Sequence, residues 1–229
     1  MQPIPGRSVW VVIAAYNEAT VIAAVIADLK SAGYRVAVVD DGSADATART
    51  AAEAGAAVVR HPINLGQGAG LQTGIEFALL AGADVIVTFD GDGQHRATDI
   101  PGLIDALDAQ GADFVLGSRF LGASLNQPLS RRLTLKAATW FTRVTTGLRI
   151  TDTHNGLRAM TRRGASRIRL RQNRMAHASE ILHQIADSGL KYVEAPVTIE
   201  YSAYSLSKGQ TLGDSLMILT DLFARRLQR

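Results

Sequence analysis

The sequence contains no cysteine, which excludes disulfide bonds and thiolate zinc sites and gives no sign of an oxidising compartment. It has no uncharged apolar run of the roughly 18 residues that a membrane span requires. The N-terminus, MQPIPGRSVW, lacks the basic and apolar regions of a signal peptide. We therefore expect a cytoplasmic protein, peripheral on the cytosolic face of a membrane if it contacts one.

The length and composition favour one domain of unevenly distributed charge. The 229 residues, 47% of them hydrophobic, suffice for one full core, and neither repeats nor a low-complexity linker divides the chain. Residues 1–118 carry 6 Lys and Arg against 14 Asp and Glu, whereas residues 119–229 carry 18 against 7. An acidic half suits a metal ion. A basic half suits phosphates, an anionic membrane surface or nucleic acid, unless it is simply a solvated face.

Short apolar segments alternate with amphipathic ones along most of the chain. The predicted strands are residues 9–13, 35–39, 56–59, 84–89, 114–117, 157–160 and 192–201. The predicted helices are residues 21–33, 43–54 with Ser43 as the cap, 70–81, 100–109, 129–146, 176–188 and 212–229. Strands that are apolar throughout indicate an α/β fold, with a mostly parallel sheet covered by helices on both faces.

Polar clusters follow three of the predicted strands. They read AYNE (15–18, with Ala15 first), DDGS (40–43) and DGDGQH (90–95). In open parallel sheets the ligand lies beyond the carboxyl ends of the strands. We therefore expect the three clusters to converge on one site.

The DGDGQH cluster has the composition of a divalent-metal site. Asp90 and Asp92 would repel each other at the end of a buried strand, and a cation would relieve that repulsion. An EF-hand is excluded, because its sixth position requires glycine and its twelfth glutamate, where this chain has His95 and Pro101. A short D-x-D turn with open coordination positions suits a diphosphate as co-ligand, with Gln94 as a further oxygen ligand. The alternative is a turn without function.

The glycine-rich segment INLGQGAG (63–70) superficially resembles a phosphate-binding loop. It is not followed by Lys-Ser or Lys-Thr, so it is not a Walker A motif. It also lies outside the first strand-turn-helix unit, which makes it weak evidence for dinucleotide binding. We interpret it as a tight turn beside the nucleotide.

Taken together, the motifs resemble a known family. AYNE, VDDGSADAT, NLGQGAGLQTG, FDGDGQH, GSRF and TDTHNGLRAM occur in this order. This set resembles family-2 glycosyltransferases of the GT-A fold, and within them the branch of dolichol-phosphate mannose synthases and polyprenyl-phosphate glycosyltransferases. The resemblance spans roughly residues 8 to 210.

The resemblance implies a role for each matching position. Residues implied at the nucleotide-sugar are Ala15, Tyr16, Glu18, Asp40, Asp41, Asp90, Gly91 and Lys208. Asp90, Asp92 and Gln94 are implied to hold Mg2+ or Mn2+ on the diphosphate, and Arg119 and Arg131 to face the acceptor phosphate. One departure concerns the acceptor, because this chain has Leu135 where that branch often carries serine.

A few polar residues have no role fixed by the resemblance. Asp152 is expected to act with Asp92 and Arg119 in catalysis by orienting the sugar or the acceptor, or else to cap a helix. His154 and His177 are left out as candidate bases, since a lone histidine is usually structural.

Two basic segments suggest a membrane contact. The arginines between 158 and 174 lack interleaved aromatic residues, so they do not form a platform for single-stranded nucleic acid, and they suit anionic headgroups or solvent. The C-terminal segment (211–229), with its predicted final helix, has an apolar face that suits a membrane surface, a membrane partner or the core. We expect peripheral attachment or a small membrane subunit.

The sequence thus predicts an inverting, metal-dependent glycosyltransferase that moves a sugar from a UDP- or GDP-sugar to a polyprenyl or dolichyl phosphate. Residues 8–118 would bind nucleotide and metal, and residues 119–210 the acceptor. Competing hypotheses are a soluble or glycan acceptor, and a nucleotide-sugar-binding protein without turnover. Nucleic-acid binding has no supporting motif.

Overall fold

The computed structural model describes residues 6–125, 129–172 and 176–201. Its strands are β1 (Val9–Ala15), β2 (Arg35–Asp40), β3 (Ala57–Arg60), β4 (Val85–Thr88), β5 (Phe114–Leu125), β6 (Arg158–Thr161) and β7 (Tyr192–Glu200). Its helices are α1 (Ile22–Ser31), α2 (Thr47–Glu53), α3 (Gln67–Leu80), α4 (Ile100–Gln110), α5 (Leu129–Thr146), α6 (Arg162–Ala165) and α7 (Ala176–Ser188). A 3₁₀ turn (Ala97–Asp99) precedes α4.

The strands form one mixed sheet in the order β3-β2-β1-β4-β6-β5-β7. The pairs β1–β2, β2–β3, β1–β4 and β5–β7 are parallel, whereas β6 runs antiparallel to both β4 and β5. The predicted α/β fold with a mostly parallel sheet is therefore confirmed. The antiparallel β6 inserts between β4 and β5, next to the end of β4 where the DGDGQH cluster begins.

Alternating side chains of the central strands build a core on each face of the sheet, as the pleat of a strand requires. Val11 and Ile13 of β1 join α1 and α4 on one face, and Val12 joins α3 and α7 on the other. These three residues are completely buried. Burial on both faces explains why the strands read as continuous apolar runs.

The glycines of NLGQGAGLQTG allow α3 to approach the sheet closely. A Cβ on Gly74 would lie 2.2 Å from Val12 Cγ1, and one on Gly70 would lie 2.9 Å from Ala14 Cβ. The helix begins at Gln67, three residues earlier than predicted, directly after Gly66 with φ 96°. The segment is thus a turn followed by a helix that packs on β1.

Several predicted boundaries were wrong for identifiable reasons. Ser43 is not a helix cap, because α2 begins at Thr47 and Ser43 Oγ accepts the N–H of Asn17 at 2.9 Å. β5 extends eight residues past Gly117 to Leu125, because β7 pairs with it across an irregularity between Ser118 and Ala123. In the part of the chain that the structure describes, no helix is long and apolar enough to cross a membrane.

Candidate functional site

A cavity of about 900 Å3 opens at the carboxyl ends of β1 and β4. Its lining includes most of the positions that the sequence singled out, namely Ala15, Tyr16, Glu18, Asp41, Asp90, Gly91, Asp92, Gln94 and Arg119. AYNE and DGDGQH thus meet at one site as expected, whereas DDGS contributes only Asp41 to the lining.

The remaining lining residues were not assigned a site role from the sequence. The polar ones among them are Asn17, Asn64, Gln67, His95, His154, Arg158 and His177. Gln67 and His95 lie inside motifs that the sequence analysis had marked, so proximity to those motifs was the available signal. His154 and His177 had been left out as candidate bases, yet both border the cavity.

Asp90 is held in place by three neighbours. Its Oδ2 lies 2.8 Å from His95 Nε2, and its Oδ1 accepts a hydrogen bond from Gln67 Nε2 at 3.2 Å. Gly156 closes the third side, since a Cβ there would lie 2.3 Å from Asp90 Oδ2. The carboxylate is therefore fixed at the wall of the cavity rather than free in solvent.

The two carboxylates of the D-x-D turn have opposite pKa shifts. Burial, followed by the charge of Asp90, raises the pKa of Asp92 to about 6. Burial also acts to raise the pKa of Asp90, but the charge and hydrogen bond of His95, together with Arg158 and His177, lower it overall. Asp90 thus stays ionised to lower pH than Asp92, on which a negative charge is opposed by burial and by Asp90.

This pair fits a divalent cation. Two adjacent carboxylates at the wall of one cavity offer the hard oxygen ligands that Mg2+ and Mn2+ prefer, and a cation would offset the repulsion that raises the pKa of Asp92. Within residues 6–125, 129–172 and 176–201, no group of three or more His, Asp or Glu side chains is arranged to hold a metal. Asp90 and Asp92 alone supply fewer oxygens than the octahedral sphere of Mg2+ requires.

Asp40 and Asp41 both accept hydrogen bonds from nearby backbone N–H groups. Asp41 accepts the N–H groups of Leu65 (3.0 Å) and Gly66 (2.7 Å) and lies 2.7 Å from His61 Nδ1. Asp40 is fully buried and accepts the N–H of Ser43 at 3.2 Å, with Arg60 Nε also 3.2 Å away but outside hydrogen-bonding geometry. Asp41 borders the cavity and Asp40 does not. Their predicted contacts with base or ribose stay predictions.

Arg119 lies at the cavity in a buried network around Asp152. Its Nε donates to Asp152 Oδ2 at 2.6 Å, its Nη1 to the Tyr201 hydroxyl at 2.6 Å and its Nη2 to the His154 carbonyl at 3.0 Å. Burial acts to lower the pKa of Arg119, but Asp152 and Tyr201 outweigh it and raise that pKa. The guanidinium thus stays charged, and three of its five N–H donors are used.

Asp152 binds Arg119 but does not itself line the cavity. The same oxygen that binds Nε accepts the Arg119 backbone N–H at 3.1 Å, and Oδ1 accepts the N–H of His154 at 3.2 Å. The alternative helix-capping role is wrong, because residues 153–157 are not helical. The geometry makes Asp152 a positioning residue.

Arg158 was expected at a solvated or headgroup-binding surface, and that expectation was wrong. It is 3% exposed, borders the cavity, and its Nη1 has no hydrogen-bond partner among the described residues. Burial lowers its pKa, and attraction to Asp90 and Asp152 acts in the opposite direction. A buried guanidinium with an unused donor at the cavity wall is a candidate for contact with an anionic ligand.

Two predicted site residues lie outside the described parts. Lys208 and the whole predicted final helix fall beyond residue 201, and the side chain of Arg131 is not described. Leu135, the departure from the family pattern, is buried on α5.

Comparisons with known proteins bear on this site. The family model described as "Glycosyl transferase family 2" matches residues 10–169. The chain belongs to glycosyltransferase family 2. It is therefore a glycosyltransferase, and the resemblance found in its motifs is confirmed.

Relatives of this family-2 glycosyltransferase include enzymes with lipid-phosphate acceptors in their names. The chain is 30% identical to a UDP-N-acetylglucosamine–dolichyl-phosphate N-acetylglucosaminyltransferase from Methanococcus voltae, covering 96% of this chain and 95% of that protein. It is 30% identical to a polyprenol monophosphomannose synthase from Mycolicibacterium smegmatis, covering 89% and 82%. These relatives confirm the predicted polyprenyl-phosphate branch.

A solved structure supports the fold. Glucosyl-3-phosphoglycerate synthase from Mycobacterium tuberculosis, crystallised with Mn2+, UDP-glucose and phosphoglyceric acid, aligns with a TM-score of 0.70 at 21% identity over 96% of this chain and 80% of that one. At that identity the likeness concerns the fold alone, and it confirms the GT-A fold.

Proposed function

We propose that this glycosyltransferase transfers a sugar, with inversion, from a UDP- or GDP-sugar to a polyprenyl or dolichyl phosphate. The observation that carries the proposal is the arrangement of the cavity, which Asp90 and Asp92 and the buried cations Arg119 and Arg158 all border. Carboxylates suit the cation of a metal–diphosphate donor, and guanidinium groups suit phosphate. The names of the relatives support a lipid phosphate as the acceptor.

The donor side follows from the D-x-D turn. Asp90 and Asp92, with Gln94, would hold Mg2+ or Mn2+ against the diphosphate of the donor. When bound, such an ion neutralises the charge that develops on the leaving diphosphate. His95 and Gln67 fix the Asp90 carboxylate, and Tyr16, which is 46% exposed at the cavity, offers a ring face to the nucleotide.

The acceptor side follows from Arg119. A phosphate monoester has a second pKa of about 6 and is already mostly ionised at pH 7, so its oxygen needs no strong general base. That oxygen forms a bond to the anomeric carbon while the bond to the donor diphosphate breaks, and the nucleoside diphosphate leaves. Arg119, held by Asp152, would use its two remaining N–H donors to bind the acceptor phosphate and bring it towards the donor diphosphate.

The chain organisation belongs to the same proposal. Residues 8–118 would bind the donor and metal, residues 119–210 the acceptor, and residues 1–229 would form one domain. The protein would work peripherally at the cytosolic face of a membrane, where its acceptor lies, with or without a small membrane subunit. Lys208 and Arg131 keep their predicted roles at the donor and acceptor phosphates.

The test is a turnover assay across donors and acceptors. Purified protein is incubated with UDP- or GDP-sugars, with Mn2+, Mg2+ or EDTA, and with a polyprenyl phosphate in detergent or a soluble phosphomonoester. We expect transfer to the polyprenyl phosphate, loss with EDTA, and loss in Asp92→Asn but not in Asp84→Asn, an exposed carboxylate away from the cavity. Transfer only to the soluble acceptor would refute the lipid assignment, and equal turnover in Asp92→Asn would refute the metal assignment.

A further inference from the structure

Helix α5 exposes an apolar stripe to solvent. Four of the ten large apolar side chains exposed in the described part of the chain lie on this helix, namely Leu129 (78%), Leu133 (70%), Trp140 (67%) and Val144 (57%). At 3.6 residues per turn these four positions fall within about 60° of one another. They form one continuous stripe about 22 Å long, which we call the α5 stripe.

The opposite side of α5 faces the protein. Leu135, Thr139 and Thr142 are buried, and at helical spacing they lie roughly 145° from the centre of the α5 stripe. A surface helix normally buries its apolar side and exposes its polar side. Here two threonines are buried while a tryptophan and two leucines are exposed, so the outward face needs an explanation beyond the fold.

A basic edge runs along the α5 stripe. Arg132, Lys136 and Arg143 are exposed and cluster within about 40° of one another, between the buried side and the apolar stripe. The helix contains no acidic residue, and the half of the chain to which it belongs carries 18 Lys and Arg against 7 Asp and Glu. A cationic edge beside an apolar stripe is the composition of a helix that lies in the headgroup region of an anionic bilayer.

The C-terminal end of α5 is joined to the loop that carries the acceptor-side network. Thr142 Oγ1 lies 2.8 Å from Thr153 Oγ1, and Arg143 Nε donates to the Ile150 carbonyl. Thr153 follows Asp152, which holds Arg119 at 2.6 Å. The buried side of α5 is therefore joined to the loop that holds Arg119, and the α5 stripe lies on the other side of the same helix.

We propose that the α5 stripe is a membrane-docking surface that inserts into the interface of an anionic lipid bilayer. The four side chains of the α5 stripe enter the boundary between headgroups and acyl chains, and the basic edge contacts anionic headgroups. The docking itself stands on exposure and charge. Its use, which is to present the cavity to a lipid-linked phosphate, rests on the proposed function.

An anionic bilayer fits this surface better than another protein. The stripe is one helix wide and bordered by three cations, so charge complementarity favours a surface with dense negative charge. A tryptophan within an apolar stripe that has a charged edge is typical of membrane interfaces. A second copy of the chain would place the same cations against one another.

Vesicle binding tests the docking surface. Full-length protein is sedimented with phosphatidylcholine vesicles that contain or lack phosphatidylglycerol, and Leu133→Glu and Trp140→Glu are compared with Leu80→Glu. Leu80 is the matched control, because it is 89% exposed on α3 and its substitution changes the net charge equally. We expect binding to the anionic vesicles, at least about tenfold weaker partitioning for the two α5 variants, and unchanged partitioning for Leu80→Glu.

Fluorescence gives an independent reading, because the chain has only two tryptophans. In Trp10→Phe, Trp140 is the sole tryptophan, and its emission should shift to shorter wavelength with anionic vesicles. Equal vesicle binding by wild type and the α5 variants would overturn the proposal, as would no binding by wild type. A dimer that Leu133→Glu converts to a monomer would also overturn it and assign the stripe to a second copy.

A soluble acceptor separates this inference from the proposed function. With a short-chain prenyl phosphate and no vesicles, wild type and the α5 variants should transfer sugar at equal rates. With a long-chain acceptor in anionic vesicles, the α5 variants should be at least about tenfold slower. If vesicle binding follows the expected pattern but no acceptor is glycosylated, the proposed function fails and the docking surface stands. If sugar transfer occurs but the α5 variants bind vesicles as well as wild type does, the docking surface fails and the proposed function stands.

Discussion

Replacing Gly156 with alanine should displace the Asp90 carboxylate and little else. The added Cβ would lie 2.3 Å from Asp90 Oδ2 and 2.5 Å from Oδ1, where ordinary contact begins at 3.4 Å. Gly156 does not have the positive φ that would exclude alanine. Its carbonyl accepts a hydrogen bond from Thr88 Oγ1 at 2.7 Å, which holds the backbone, so the carboxylate must move by about 1 Å.

A movement of that size is large for a metal ligand. It would break the contacts of Asp90 with His95 (2.8 Å) and Gln67 (3.2 Å), and misplacement by about 1 Å typically costs on the order of 100-fold in rate. The loss of stability should stay near 2 kcal/mol, the value of one or two hydrogen bonds. We therefore expect kcat/KM to fall about 100-fold and the Mn2+ concentration for half-maximal activity to rise.

The assay is initial rate against donor concentration at several Mn2+ concentrations, with thermal unfolding measured in parallel. Gly102→Ala is the control, because Gly102 lies in α4 and a Cβ added there would meet nothing beyond its own helix within 4 Å. Alanine at that position should stabilise the helix by about 1 kcal/mol. Wild-type activity and metal requirement in Gly156→Ala would refute the role assigned to Asp90. Complete unfolding would show that the backbone, rather than the carboxylate, had to yield.

Three further predictions test the surroundings of the site. Asp152→Ala should lower Tm by about 10 °C in thermal unfolding, because it leaves the buried charge of Arg119 uncompensated. The control is Asp187→Ala, which removes an exposed carboxylate and should leave Tm unchanged. Equal Tm values for the two variants would contradict the proposed network around Arg119. Arg158→Met should leave Tm unchanged or raised, because it removes a buried and incompletely paired cation. The same change should lower kcat/KM about 10- to 100-fold. A lower Tm with normal kinetics would show that the role of Arg158 is structural. Hydrogen bonding by Arg163 lowers the pKa of Asp113 below its ordinary value of 3.8. The ionised Asp113 therefore stabilises the folded state above pH 3.8, and this stabilisation is lost as pH falls through the folded-state pKa of Asp113. The Tm difference between wild type and Asp113→Asn should therefore shrink below about pH 4, and a difference independent of pH would contradict this.

The sequence predicted the donor half of the fold well because that half follows simple rules. Strands buried on both faces read as apolar runs, and polar clusters mark their carboxyl ends. The positions of Asp90 and Asp92 at the cavity could therefore be predicted without coordinates. Gly156 could not, since its contact with Asp90 joins residues 66 positions apart through the pairing of β4 with β6.

The acceptor half was less predictable because its charges do not reveal where they lie. Arg158 reads like its exposed neighbours in a basic segment, yet strand β6 carries it into the interior. Helix α5 has a strong apolar periodicity, but periodicity alone does not say which side meets the core. Only the structure shows that Thr139 and Thr142 are buried while Leu133 and Trp140 are exposed.

The most direct test of the central claim is the transfer of radiolabel from a nucleotide-sugar into the organic phase. Purified protein, Mn2+ and a polyprenyl phosphate in detergent are incubated with each labelled UDP- and GDP-sugar, beside Asp92→Asn as the control. The proposed function predicts label in the organic phase from one donor with wild type and none with Asp92→Asn. Label that stays entirely in water, while nucleoside diphosphate is released, would contradict a lipid-phosphate acceptor.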